Sequence, residues 1–509
     1  MSLEWSGRIL EALPGPRVRL TPVSVPFIAL GLNTKLQWNF SHTIIGMQRL
    51  SGLDASFLYL ETSTQPLHVC SLLDLDTSTM PGGYSFEAFR DALARRMRAM
   101  PQFREKLSDT ALNIDHPVWV EDTDFDVSRH LHRIGLPPPG GRVELAEIVG
   151  HIAGLPLDRS RPLWETWVIE GIDGSEAGRG GRVAVLTKVH HAAVDGVSGA
   201  NLMSTLCSTE PDSPDPEPVA GEGDAGALRI AAGGLARFVS RPLNLANALP
   251  GAVSSVVNTL DRVRTGLTMA RPFAAPRTPF NARITAHRNV AFTQLDLEDI
   301  KTVKNHFDVK VNDVVMALVS GVLRQYLLDR CELPETSLVA MVPVSVHGRS
   351  DRPGRNQVSG MFSQLETQIA EPADRLEAIA EQNAVAKEHS SAISATLLQD
   401  FSQFAAPAVF GVAMRLYART GLTSSRPVHN LVISNVPGPQ EPLYFLGSQI
   451  KAMYPIGPIF HGSGLNITVM SLDGRLNVGI IGCPELMPDL WALADGFGPG
   501  MEELLAATR

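Results

Sequence analysis

From Phe86 to about Leu107, in FEAFRDALARRMRAMPQFREKL, apolar residues recur at intervals of three and four, and Ser85 stands where a helix cap belongs. The spacing predicts an amphipathic helix that Pro101 breaks or bends. PVWVE follows, then a helix around VELAEIVGHIAGLPL. WETWVIEG and RVAVLTKVHH come next, two β-type runs on either side of the glycine-rich IDGSEAGRGG, and they predict neighbouring strands of one sheet. A second series begins near Asn281. VAFTQLDLEDIKTVKNHF predicts a strand and then a helix, and VNDVVMALVSGVLRQYL places Val311, Val314, Val315, Leu318, Val322 and Tyr326 on one stripe. LVAMVPVSV and VHNLVISNVPGP read as buried strands, the latter stopped by its Pro-Gly-Pro turn. LNITVMSLDGRLNVGIIG reads as a hairpin turning at Asp473-Gly474.

Strands and helices in both halves predict an α/β protein of two lobes. Residues 47–207 form the first lobe, 208–280 a linker and 281–509 the second. Residues 1–46 lack sustained periodicity and are set apart as an N-terminal extension, read as a mis-set translation start in preference to a surface arm. The linker opens as STEPDSPDPEPVAGEGDAGA, too rich in Pro, Gly and acid for a helix or central strand, and is expected to be a solvated connector. From Leu228 to Pro272 the charge reverses: Arg229, Arg237, Arg241, Arg262, Arg264 and Arg271 face only Asp261. That stretch either packs on the body with its arginines in water or lies on an anionic lipid surface.

The chain has 509 residues, with 44 Lys+Arg against 53 Asp+Glu. The net charge of -9 argues against nucleic acid as a partner. Cys70, Cys207, Cys331 and Cys483 form no C-x-x-C pair, and His68, His116, His151, His347 and His461 lack metal-ligand spacing. No metal or bound cofactor is expected. A reduced, cytoplasmic setting fits the cysteines, and no apolar run reaches the roughly 20 residues of a spanning helix.

The candidate chemistry lies in KVHHAAVDG, Lys188 to Gly196, where two histidines end a strand and a helix is expected through VSGANLMSTL. Alternation along a strand sends His190 and His191 to opposite faces, so one ring alone can look into a given cleft. A histidine titrating near neutrality can take a hydroxyl proton and return it to a leaving group. Gly196 permits an unusual backbone angle and Asp195 can anchor the turn.

The string H-H-x-x-x-D-G resembles the signature of the wax ester synthase/diacylglycerol acyltransferase family, within the wider superfamily of CoA-dependent acyltransferases and condensation domains. PLDRSRPLWETWVIEG, VNDVVMAL, LVISNVPGP and the opening LSGLDASFLYLET match further family blocks in order and spacing. The resemblance covers Met47 to the C-terminus and implies two chloramphenicol-acetyltransferase-like lobes with a tunnel between them. It implies His191 as general base, His190 as support, and Asp195 as a residue that shapes the loop by pairing with a basic side chain. Substrate-binding candidates are Asn312, Asp313, Ser434 and Asn435, although helix capping is the preferred account of Asn312 and Asp313, and turn formation explains Ser434 and Asn435 equally well. Pro162, Leu163 and Trp164 are read as packing residues at a strand entry.

The implied reaction transfers a long-chain acyl group from acyl-CoA to diacylglycerol or a long-chain alcohol, directly and within a ternary complex. No G-x-S-x-G elbow supports an acyl-serine route. The implied location is cytoplasmic, at the periphery of a lipid membrane or lipid droplet. Two alternatives stand beside it: a carrier-protein-dependent condensation or polyketide-type acyltransferase, and an inactive droplet-surface protein.

Overall fold

The computed structural model describes residues 48–109, 115–174, 181–194, 205–220, 230, 275–345, 358–392 and 427–509. The N-terminal extension, Asp195, Gly196, nearly all of the VSGANLMSTL segment and all six arginines of Leu228 to Pro272 lie outside these residues.

In the first half, helix α1 (Gly52–Leu60) leads to strand β1 (His68–Asp76) and helix α2 (Phe86–Met97). Strands β2 (Glu105–Ser108), β3 (Val118–Glu121) and β4 (Leu131–Gly135) come next, then helix α3 (Arg142–Gly154). Strands β5 (Trp164–Glu170), β6 (Arg182–His190) and the short β7 (Cys207–Ser208) complete it. The second half runs β8 (Asn289–Asp296), α4 (Leu297–His306), α5 (Val311–Leu328), β9 (Val339–Ser345), β10 (Val358–Gln364) and α6 (Pro372–Ala392). It continues through β11 (Leu431–Val436), β12 (Tyr444–Phe445), β13 (Ser448–Ile456), β14 (Leu465–Leu472) and β15 (Arg475–Gly482) to α7 (Leu490–Asp495) and α8 (Phe497–Ala506).

Two large sheets organise the described residues, one in the order β4-β5-β6-β1-β13-β12-β7 and the other β10-β9-β11-β14-β15-β8. The chain is therefore the expected α/β protein with two sheet-rich lobes. One detail amends the lobe boundary: β12 and β13 follow residue 281 in sequence yet belong to the first sheet, where β13 pairs antiparallel with β1. Residues 281–509 thus build the second sheet and also complete the first. Strand β13 also touches the second sheet, because Asn477 Oδ1 on β15 accepts from Met453 N–H at 3.4 Å and Gly479 leaves room for the Pro455 carbonyl that any Cβ would strike.

The second lobe's core forms around α5, whose Val314, Val315, Leu318, Val322 and Tyr326 are all buried. By length and composition α5 is the one described helix apolar enough to cross a bilayer, but this buried stripe accounts for its composition by packing. The hairpin turns at Asp473 and Gly474, both at positive φ, as a two-residue turn demands. Between the sheets, α3 buries Val149 and Ile152 in a core that includes Leu72, Leu186, Val290 and Phe292. Gly150 and Gly154 on α3 let the Arg288 and Ala286 carbonyls come closer than a side chain permits.

Two local expectations are corrected. The helical pattern of Phe86 to Leu107, expected to break or bend at Pro101, already ends at Met97; a 3-10 turn follows at Pro101–Phe103, and Glu105–Ser108 pairs with Val118–Glu121 as strands. Proline supplies no N–H to continue a helix, and the chain leaves in extended form. The acidic linker is no free connector in its described part. Asp215 pairs with Arg95 at 2.6 Å and Arg96 at 3.4 Å, Val219 N–H donates to the Arg98 carbonyl at 3.0 Å, and Arg104 donates to the Val219 carbonyl at 2.7 Å.

Candidate active site

Strand β6 ends at His190, directly opposite His68 on β1. Three backbone bonds fix the exit. His190 N–H donates to the Leu163 carbonyl at 2.9 Å, His191 N–H donates to the Leu67 carbonyl at 2.9 Å, and Ala193 N–H donates to the His190 carbonyl at 2.9 Å. The Pro162-Leu163-Trp164 block therefore contributes a carbonyl to the histidine pair. Its Trp164 is buried and donates Nε1–H to the Phe103 carbonyl at 2.7 Å, so its role is the packing expected of it.

The two histidines have opposite surroundings. His190 is fully buried, and its Nδ1 accepts from Ala192 N–H at 3.0 Å. A backbone amide can only donate, so Nδ1 carries no proton. Nε2 then faces the Glu61 carboxylate at 3.5 Å, close enough for attraction though long for a hydrogen bond. His191 lies past the strand end, is partly exposed, and stacks on Phe57 with ring centroids 4.0 Å apart and planes 9° from parallel.

Glu61, which caps α1, ties the region together. Its Oε1 accepts from Leu67 N–H at 3.2 Å and sits 3.9 Å from His68 Nε2, while its Oε2 accepts from Arg159 Nε at 3.1 Å. Burial pushes this carboxyl up, but His190, Arg159 and His68 outweigh it and hold the group far below the usual carboxylate range. His68 is pushed down to about 3 by burial, with His190 and Lys188 adding to the effect and Glu61 opposing it, so it is neutral at physiological pH. Beneath them the Lys188 ammonium, wholly buried, donates to the Leu155 carbonyl at 3.1 Å and the Ile152 carbonyl at 3.3 Å, and lies 3.2 Å from Glu165.

The second-lobe candidates sit at the start of α5 and on β11. Asn435 Nδ2 approaches Asn312 Oδ1 at 3.5 Å, so two residues far apart in sequence meet. Asp313 is buried and structural: Oδ2 accepts from Lys310 N–H at 3.0 Å at the helix start, and Oδ1 accepts from Asn383 Nδ2 at 2.8 Å. Ser434 is half-buried and pairs in register with Thr468 of β14. The histidine pair at the end of β6 belongs to the first sheet, and the Asn312–Asn435 pair joins α5 to β11 of the second.

Glu61, Phe57, His68 and Lys188 went unrecognised in the sequence. Phe57 and Glu61 belong to the opening block LSGLDASFLYLET, which was their only signal, since no spacing rule connects residue 61 with residue 190. Among the described residues no group of three or more His, Cys, Asp or Glu side chains is placed to hold a metal ion.

The family model for the wax ester synthase/diacylglycerol acyltransferase catalytic domain matches residues 50–315, and the model for the WS/DGAT C-terminal domain matches residues 355–505. A Mycobacterium tuberculosis (strain CDC 1551 / Oshkosh) protein provisionally named a diacylglycerol O-acyltransferase is 57% identical over 459 residues, 90% of each chain. The wax ester synthase/diacylglycerol acyltransferase of Marinobacter aquaeolei VT8 superposes with a TM-score of 0.65 at 30% identity, covering 91% of this chain and all of that one. A trichothecene 15-O-acetyltransferase of Fusarium sporotrichioides shares the fold at a TM-score of 0.54 and 11% identity, covering 91% of this chain and 95% of its own.

Proposed function

Because this chain belongs to the wax ester synthase/diacylglycerol acyltransferase family, we propose that it transfers a long-chain acyl group from acyl-CoA to diacylglycerol, and to long-chain alcohols, with His191 as general base. The observation that carries the assignment is the unequal state of the two rings. His190 has Nδ1 committed to a backbone amide and Nε2 turned to Glu61, whereas His191 stands partly exposed against one aromatic face.

In the proposed cycle acyl-CoA and acceptor bind together in a tunnel between the lobes. The His191 imidazole takes the hydroxyl proton as the acceptor oxygen attacks the thioester carbonyl. The tetrahedral oxyanion then collapses, the C–S bond breaks, and the imidazolium returns its proton to the departing thiolate, giving ester and free CoA. General-base catalysis supplies about 10² to 10⁴-fold; orientation of both substrates and stabilisation of the oxyanion supply the rest. Asn312, Asn435 and Ser434 are substrate-facing amide and hydroxyl groups. The chemistry requires no metal or prosthetic group, since the thioester arrives activated.

Diacylglycerol resides in membranes or droplets, so the reading includes a peripheral, cytoplasmic enzyme docking through the arginines between Leu228 and Pro272, each worth about 1 kcal/mol near an anionic surface. The test is CoA release by purified protein supplied in parallel with diacylglycerol, a long-chain alcohol and a carrier-protein acceptor. Release with the first two and loss of kcat in His191→Ala supports the proposal. Turnover on the carrier protein alone favours a condensation-type enzyme, and none on any acceptor favours an inactive surface protein.

A further inference from the structure

Phe57 and Glu61 lie four residues apart, on one face of the α1 helix and its cap, and each meets one of the two histidines. We propose that Phe57 is a positioning residue for acyl transfer, the flat wall that sets the plane of the His191 imidazole; this rests on the reading of His191 as the base.

The wall is fixed at both ends. At its start, Ser51 Oγ accepts from Asp54 N–H at 3.1 Å and Ser51 N–H donates to Asp54 Oδ2 at 3.3 Å, a reciprocal capping box. At its end, Glu61 N–H donates to the Phe57 carbonyl at 3.2 Å, and the Glu61 side chain is anchored by Arg159 and Leu67 N–H. Along its length Ala55 and Leu58 are buried in a cluster with Leu163 and with Ala192, the residue after the base. The helix therefore cannot drift relative to the end of β6.

The terminal torsion of a histidine is broad, so nothing intrinsic holds the imidazole edge toward a hydroxyl. A parallel ring at 4.0 Å removes that freedom. It covers one face of the ring and fixes the plane in which the two nitrogens lie. A base must lie within about 3 Å of the proton it takes, and a small misplacement of a reacting group is costly.

The test compares Phe57→Leu, Phe57→Trp and His191→Ala with the double variant Phe57→Leu/His191→Ala, in the full-length protein with saturating acyl-CoA and acceptor. Leucine fills most of the space without offering a plane. Phe57→Leu is expected to lower kcat about tenfold, with both KM values and the Tm near wild type, and Phe57→Trp to recover most of the loss. In the His191→Ala background Phe57→Leu is expected to cost nothing further, because its target is gone. Wild-type kcat in Phe57→Leu, or an equal loss with and without His191, would overturn the proposal. Should leucine lower the Tm, Phe57→Met takes its place in the same cycle. A wild-type kcat in His191→Ala is a separate outcome, which removes the base assignment itself.

Discussion

The histidine end of the first sheet and the polar interior of the second lobe are both buried and both hydrogen-bonded, yet they are made of different materials. Around His190 stand Glu61, His68, Lys188, Glu165 and Arg159, all ionisable. In the second lobe, beside the buried Asp313, much of the corresponding work falls to neutral side chains. Asn430 Oδ1 accepts from Val339 N–H at 2.8 Å, its Nδ2 donates to the Pro276 carbonyl at 2.6 Å and to Asn281 Oδ1 at 2.7 Å, and Asn281 donates in turn to the Gly462 carbonyl at 2.7 Å. Amides hold the same geometry at any ordinary pH, whereas a cluster of charges holds it only while each group keeps its state. The lobe given the proton-transfer role is thus the one whose architecture is sensitive to protons, and the other resembles a fixed frame.

The largest effect expected from this contrast is catalytic. His191→Ala should reduce kcat by about 10² to 10⁴-fold, while Asn312→Ala and Asn435→Ala, which remove one end of a 3.5 Å contact, should cost about tenfold and act partly through KM. Steady-state kinetics with both substrates varied checks this. Equal losses at His191 and Asn312 would remove the division of labour between the lobes.

Stability comes next. Glu61→Ala deprives Arg159 and Leu67 N–H of an acceptor and leaves the His190 edge without its carboxylate, and breaking such a buried ionic contact costs about 3 to 5 kcal/mol. Asn430→Ala leaves the Val339 amide and the Pro276 carbonyl unpaired, at about 1 to 3 kcal/mol for each buried group left unsatisfied. Denaturant unfolding of both variants at neutral pH, with unchanged m-values, tests the ranking. An Asn430→Ala loss exceeding that of Glu61→Ala would show the neutral frame to be the stronger of the two.

The pH dependence separates the regions further. His68 is held down to about 3 in the folded chain, against an ordinary value of 6.5, so below pH 6.5 the unfolded chain binds a proton that the folded chain refuses. Stability must then fall as pH drops from 6.5 toward 3, by roughly 3 kcal/mol at pH 4. Glu61 acts in the same direction only at lower pH, because its depressed value keeps it charged until well below its unfolded value of 4.5. A comparable group in the second lobe is His429, whose ring nitrogens are shut away from solvent and which burial lowers to about 4. His68→Asn should flatten the acid limb of the stability profile by more than His429→Asn does, and chemical denaturation from pH 7 to pH 4 measures both. A profile unchanged by His68→Asn would mean that this histidine finds a proton partner on folding.

The contrast also explains which parts could be read from the chain. The α5 stripe, the Asp473-Gly474 hairpin and the β5 and β6 runs are local patterns, each complete within twenty residues. Strand β1 escaped notice because His68, Ser71 and Asp74 interrupt the apolar alternation of HVCSLLDLD, and two of these, His68 and Asp74, are buried against partners from elsewhere in the chain. Strand β13, SQIKAMYPI, contains a proline and crosses back to the first sheet, which no local rule anticipates. The histidine pair was legible because its chemistry is contiguous. Its supports, Glu61 and Phe57, reach it only through the packing of α1 against the end of β6.

The smallest effect concerns the acidic strap over α2, where charge again does work that amides do elsewhere. Asp215 reaches Arg95, which is about half exposed, and Arg96, which is buried and also donates to the Leu206 carbonyl at 3.0 Å. An exposed pair of this kind contributes about 0.2 to 1 kcal/mol and is screened by salt. Asp215→Asn should therefore lower stability by about 0.5 kcal/mol in dilute buffer, and the difference should shrink at 1 M NaCl, where the screening length is about 3 Å. The Val219 contacts with Arg98 and Arg104 involve backbone groups and should survive, so limited proteolysis ought to find the strap still docked in the variant. Cleavage between residues 208 and 220 in Asp215→Asn but not in wild type would show instead that this one carboxylate, with its two arginines, is what holds the strap to the first lobe.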